Sequence, residues 1–168
     1  MIKVVLIILL MFIGLLFGLR LEKQVKKEEI INNTNKTVGL SPDMLKVQEY
    51  FQKIGKTPYK PDNNHNQPKS PKRFFEDGYG DCDDKAVAFL DYLYNNGERE
   101  LKLISFTHKS NKYGHACALW KGKIYDPTIT PKIYNTDYEQ YIKLLDKMGF
   151  NRHYIIPFND NYRRRLYD

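Results

Sequence analysis

Three short runs of the sequence carry side chains able to do nucleophilic chemistry. They are Gly80-Asp81-Cys82-Asp83-Asp84-Lys85-Ala86, Tyr113-Gly114-His115-Ala116-Cys117 and Ile124-Tyr125-Asp126-Pro127-Thr128. A thiol, an imidazole and a carboxylate together can attack a carbonyl, pass a proton to the leaving group and hold the imidazole in the right tautomer. Asp81 is a residue type that caps a helix, so Cys82 falls in the first helical turn. Unpaired N–H groups and the positive end of the dipole favour a thiolate there. Asp81, Asp83 and Asp84 act in the opposite direction, because nearby negative charge raises a thiol pKa. A reactive Cys82 therefore needs a cationic partner, most simply a histidinium.

Each residue alone has a plainer reading. Cys82 shares a helix face with Ala86 and Phe89 and suits a core position, and Asp126 opens an Asp-Pro turn. His115 begins a predicted strand in which 115, 117 and 119 face one way and the small residues Ala116 and Ala118 the other. His65 and His108 lie in polar loops and His153 starts the last predicted strand, so they are weaker candidates. If a hairpin closes at Lys121-Gly122, Asp126 comes alongside the His115 end of the neighbouring strand. There it can accept the second imidazole N–H. Cys117 shares the His115 face; core packing is the simpler reading, and a reversible disulfide with Cys82 is the sharper one. His-x-Cys plus one distant cysteine lacks the paired spacing of a structural zinc site.

The elements that must position these residues are legible from periodicity. Leu45 to Ile54 has helical spacing behind a Ser41-Pro42-Asp43 start. Lys56 to Lys72 contains four prolines and reads as an ordered loop. Asp81 to Asn95 is helical and ends at Asn95-Asn96-Gly97. Leu101–Thr107, His115–Trp120 and Lys123–Tyr125 read as strands, Tyr138 to Met148 as a helix and His153–Pro157 as a short strand. One helical layer on an antiparallel sheet is the economical α+β architecture.

The N-terminus differs from the rest. From Val4 to Leu19 the residues are apolar apart from Gly14 and Gly18. Sixteen residues at about 1.5 Å each make about 24 Å of helix, which spans a bilayer if Lys3 and Arg20 snorkel. No small-x-small cleavage site follows, so an uncleaved single-pass anchor (1–21) is preferred over a signal peptide. A polar stalk (22–40) and one domain (41–168) complete the organisation. Counted literally, Arg20, Lys23, Lys26 and Lys27 place the domain in the cytoplasm. Extracellular amide chemistry, which the site residues suggest, tips the expectation towards the outside. The net charge is +7, of which residues 1–40 hold +3 (six Lys/Arg against three Asp/Glu), leaving a mild +4. Arg163-Arg164-Arg165 reads as a solvated or membrane-facing tail, and no nucleic-acid partner is expected. Two cysteines do not make a disulfide scaffold.

With these residues in place, Gly78-Tyr79-Gly80-Asp81-Cys82-Asp83-Asp84-Lys85-Ala86, Gly114-His115-Ala116 and Tyr125-Asp126-Pro127-Thr128 resemble the transglutaminase-like superfamily. The closest flavour is that of the bacterial transglutaminase-like cysteine proteinases, and the match covers about residues 67 to 128. The resemblance implies a papain-like α+β core with the nucleophile's helix packed on a small antiparallel sheet. It implies Cys82 as nucleophile, His115 as general base and acid, and Asp126 as orienter, acting on a protein or peptide. No cofactor is required; some relatives bind calcium beside the nucleophile, and Asp81, Asp83 and Asp84 match those positions. Such relatives often carry a tryptophan where this chain has Pro68, so an indole oxyanion donor is absent. The Cys82 backbone N–H, with Gln67 or Asn66, is the expected replacement. Hydrolysis is expected over protein crosslinking, because 41–168 lacks the extra domains of the large crosslinking enzymes. A membrane-held binding or scaffold module with a vestigial triad is the other reading.

Overall fold

Helix α1 (Pro42–Lys56) opens the part of the chain that the computed structural model describes, residues 42–61, 67–129 and 133–167. The chain divides into two compact units, 1–45 and 46–168; of the first only 42–45, the start of α1, is described. The expected anchor and stalk lie outside the described residues, and among these no helix is long and apolar enough to cross a membrane. In α1 the helical spacing buries Val47, Phe51 and Ile54.

The stretch expected to be helix-free up to Lys72 instead ends in a helix, α2 (Pro71–Asp77). Four prolines suggested a loop, but a proline at the first helical position loses no hydrogen bond and brings the right φ. Ser70 caps it, accepting from the Arg73 N–H at 3.4 Å. Gly78, at φ 72°, closes it by donating to the Phe74 carbonyl. Helix α3 (Cys82–Asn95) follows, and Ala86 to Leu90 are all buried, so it is the central helix of the unit.

Five antiparallel strands form one sheet: β1 (Lys102–His108), β2 (Gly114–Trp120), β3 (Lys123–Asp126), β4 (Ile133–Asp137) and β5 (Phe150–Pro157), in the order β4-β3-β2-β1-β5. The expected β2–β3 hairpin turns at Lys121 (φ 50°) and Gly122 (φ 74°). Two successive positive φ values are what a two-residue hairpin turn requires. Strand β4 was not expected: it is short, and Asn135 at φ 58° interrupts its alternation. Helix α4 (Tyr138–Lys147) matches its expected position. The arginine-rich tail, expected to be solvated, leaves Arg164 and Arg165 exposed, but it forms helix α5 (Asp160–Tyr167), held to α3 by an ion pair between Arg163 and the buried Asp91 at 2.7 Å.

The single helical layer is also corrected. Every residue of β2 from His115 to Trp120 is buried, so both faces of the strand need cover. Helix α3 packs on the face of Ala116 and Ala118, with Phe89 against Tyr125 (centroids 5.2 Å). Helix α4 covers the other face, where Tyr141 and Leu145 join Ile104, Phe106, Cys117, Leu119 and Ile124 in a core cluster.

Candidate active site

The segment that delivers Cys82 is tied down residue by residue. The Gly80 N–H donates to the Pro58 carbonyl (3.2 Å) and the Lys60 N–H to the Gly80 carbonyl (3.1 Å), a parallel bridge that pins the chain before the helix. Asp81 is the N-cap of α3, and Asp84 reaches back to accept its backbone N–H at 3.2 Å. The other Asp84 oxygen accepts the Lys69 N–H at 2.6 Å. One turn into the helix, the buried Lys85 ammonium donates to the Thr57 carbonyl at 2.7 Å. Cys82 is thus the first residue of a helix whose start is immobilised on three sides, and its sulfur accepts the Ala116 backbone N–H.

On the sheet, His115 Nε2 lies 2.7 Å from Asp126 Oδ2, and both residues are buried. The Tyr141 hydroxyl donates to the same oxygen at 2.5 Å and lies 3.1 Å from Nε2. Asp126 Oδ1 accepts the backbone N–H groups of Thr128 (2.8 Å) and Ile129 (3.4 Å). Four donors converge on one carboxylate. Burial alone would raise its pKa, but the bonds from His115, Tyr141 and Thr128 together hold it below the usual carboxylate value. A charged acceptor at Nε2 keeps the proton on that nitrogen and leaves Nδ1 as the basic one. Phe106 stacks on the ring (6.3 Å) and Phe150 flanks it (6.0 Å). Cys82, His115, Ala116 and Asp83 line one cavity of about 460 Å³.

The electrostatics of Cys82 run against the expectation drawn from its helix position. Burial, then the charges of Asp81 and Asp83, push the thiol up to about 12, and the Ala116 N–H offsets only part of this. Desolvation and two carboxylates thus favour the thiol over the thiolate, against the dipole of the helix end. Asp83 is itself pushed up to about 8 by burial, by its bond to Asp81 and by the Asp81 and Asp84 charges. One oxygen from each of Asp81, Asp83 and Asp84 lies within 4.8 Å of the others. Asp81 Oδ1 is buried with no hydrogen-bond partner among the described residues. An all-oxygen cluster with an orphaned buried acceptor fits a hard divalent cation.

The remaining sequence candidates fall elsewhere. Cys117 is a free thiol buried in the α4-side core, hydrogen-bonded to Tyr141, and no disulfide joins it to Cys82. His108 pairs with Ser110 (2.8 Å) and His153 with the Tyr138 hydroxyl (2.9 Å). Gln67 is exposed, whereas its neighbour Pro68 lines the cavity; Asn66 and His65 lie outside the described residues. Two residues that sequence reasoning missed are Tyr141, bonded to Asp126, and Tyr162, which lines the cavity from α5. A buried tyrosine must place its hydroxyl on a partner, but among 13 tyrosines nothing local marks these two.

No protein-family model matches the sequence, and no curated protein matches it. Among solved structures, Legionella pneumophila LapG is similar at 16% identity, over 75% of this chain and 78% of that chain, with a TM-score of 0.51. An EGTA-treated and a calcium-bound LapG structure each match at 18% identity over 60% of this chain, with a TM-score of 0.48. The chain spans 59% and 60% of their respective lengths. At this identity the likeness is one of architecture: five helices and a five-stranded antiparallel sheet among the described residues make a LapG-like α+β fold.

Proposed function

We propose that the chain is a transglutaminase-like cysteine peptidase or amidase in which Cys82 is the nucleophile, His115 the general base and acid, and Asp126 the orienting acid. The observation that carries this reading is the buried His115–Asp126–Tyr141 cluster at the edge of the cavity that also holds Cys82. As the Cys82 proton passes to His115 Nδ1, the sulfur attacks an amide carbonyl and the imidazolium is stabilised by Asp126. His115 then protonates the leaving amine, giving a thioester and a free amine. Water, deprotonated by His115, resolves the thioester to a carboxylic acid and returns the thiol. The Cys82 backbone N–H, at the unpaired start of α3, is the oxyanion donor; Gln67, expected as a second, is exposed and does not line the cavity. The substrate is a protein or peptide, and Val4–Leu19 tethers the domain to a membrane.

Asp81, Asp83 and Asp84 would hold calcium. The ion would supply positive charge beside Cys82 and neutralise the carboxylates that raise its pKa. A stability signature follows from Asp83. Its folded pKa of about 8 exceeds its unfolded value of about 3.9, so the native state retains a proton that the unfolded chain releases. Without cation, stability from this group is full below about pH 4 and is lost as pH rises to about 8. Calcium held by these carboxylates would take the place of that proton, so its addition is expected to raise the melting temperature more at pH 8 than at pH 5. At a hundred times its Kd the stabilisation is about 2.7 kcal/mol. An equal shift at both pH values, or none, removes calcium from the reading.

The functional test is iodoacetamide alkylation of the full chain against pH, with the label mapped to its cysteine. Because Cys117 is fully buried, labelling is expected at Cys82 alone. Calcium is expected to move the reactive limb to lower pH, and His115→Ala to slow the reaction about tenfold or more. The raised Cys82 pKa favours one rival, a binding module that keeps these residues as architecture. That rival predicts slow alkylation indifferent to His115, and that outcome would displace the enzyme reading.

A further inference from the structure

Helix α5 buries no residue, yet it is held firmly. Arg163 donates to Asp91 at 2.7 Å and to Asn95 at 2.8 Å, and its guanidinium lies 4.3 Å over the Tyr94 ring. Tyr167 donates to the other Asp91 oxygen at 2.9 Å, and Tyr94 bonds Asp160. All these anchors sit on the later turns of α3, the helix whose first residue is Cys82. The one side chain of α5 that reaches the catalytic cavity is Tyr162, whose ring also packs on Phe158 (5.2 Å).

The sheet beneath that ring is shaped for a side chain. Ser105 and Ala116 are cross-strand partners, both small, and Leu103 pairs with Ile156 one step along the same face. All four line the cavity with Tyr162. Small residues beside the nucleophile leave a depression, Leu103 and Ile156 give it an apolar floor, and Tyr162 closes it. The direction of the substrate follows from His115, which belongs to the opposite, α4-covered face. A leaving amine must lie beside His115 to receive its proton, so the acyl part of the substrate runs to the Tyr162 side.

We infer that Tyr162 is a specificity-determining residue: supplied by the C-terminal helix, it walls a subsite floored by Leu103, Ser105, Ala116 and Ile156 that takes an apolar side chain on the acyl side of the scissile bond. This rests on Cys82 being the acylated nucleophile. It assigns the substrate class as a peptide bond following an apolar residue, and it makes the Arg163–Asp91 latch a positioning device for Tyr162.

The test uses two acetylated dipeptide chloromethyl ketones on the full chain, one with leucine and one with glycine bearing the ketone. Each rate is divided by the iodoacetamide rate of the same variant. The leucine probe is expected to label Cys82 about tenfold faster than the glycine probe. Tyr162→Ala is expected to abolish that preference, chiefly through the half-saturating probe concentration. Tyr162→Phe, which keeps the ring, restores it, and Arg163→Ala lowers it by loosening α5. Circular dichroism checks that each variant is folded. A leucine preference unchanged in Tyr162→Ala overturns the subsite alone. If iodoacetamide labels Cys82 but neither ketone does, the peptidase reading falls and the subsite with it.

Discussion

Asp126→Asn is expected to lower Cys82-dependent peptide cleavage by about 10³- to 10⁴-fold while leaving the chain folded. The size of the effect follows from the donor count at this residue. Both carboxylate oxygens are occupied by donors: the His115 and Tyr141 side chains on one, the Thr128 and Ile129 amides on the other. An asparagine can satisfy the two backbone amides with its oxygen, but its NH₂ then faces Nε2. To accept from that NH₂, the imidazole must move its proton to Nδ1, and the nitrogen needed as base becomes a donor. The Tyr141 hydroxyl can rotate to accept, which is why folding survives. Tyr141→Phe removes one donor of four and leaves the tautomer unchanged, so about a tenfold loss is expected, in line with one hydrogen bond to a charged group. Steady-state cleavage of a peptide substrate, with Cys82→Ala as the blank, measures both. Equal losses in the two variants would mean that the cluster acts through packing and not through the Nε2 proton.

The second large effect is on stability. Gly80→Ala is expected to destabilise the fold by about 1–3 kcal/mol, the range for overpacking, and to displace the start of α3. Gly80 is present for space and not for an unusual backbone angle. A Cβ there would lie 2.6 Å from Phe74 Cδ2, 2.7 Å from Phe74 Cε2 and 2.7 Å from Asp84 Oδ2. The Phe74 ring is fully buried, and Asp84 is fixed by the Lys69 and Asp81 amides. On the other side, the bridge to Pro58 and Lys60 prevents the chain from backing away. The strain therefore falls on the two residues before Cys82, and slower alkylation should accompany the lower urea midpoint. Gly114→Ala is the control for stability, since its Cβ would meet only the Phe106 carbonyl at 3.6 Å. Matching midpoints for the two variants would show that Phe74 repacks freely.

Helix α3 and the β2–β3 hairpin could be read because their signals are local. Asp81 before an apolar run marks a helix start, and Lys121-Gly122 marks a two-residue turn. The hairpin register then brings Asp126 to His115 with no further information, since 11 residues of chain leave the pair little choice. Helix α2 was hidden by its own start signal, Ser70-Pro71, at the end of a proline-rich stretch. Strand β4 has too few alternating residues to declare itself.

By itself, then, the sequence determined the place of Cys82 at a helix start, His115 and Asp126 on paired strands, and the acidic run around the thiol. These depend on capping, turn geometry and alternation over a few residues. Tertiary structure decided the rest. It brought Tyr141 onto Asp126 across the second face of the sheet, and it latched α5 to Asp91 through a contact spanning 72 residues so that Tyr162 walls the cavity. It also set the Cys82 thiol, whose pKa is raised first by burial and only then by its neighbours in the chain. Desolvation depends on everything that packs around a group, and no window of sequence contains that information.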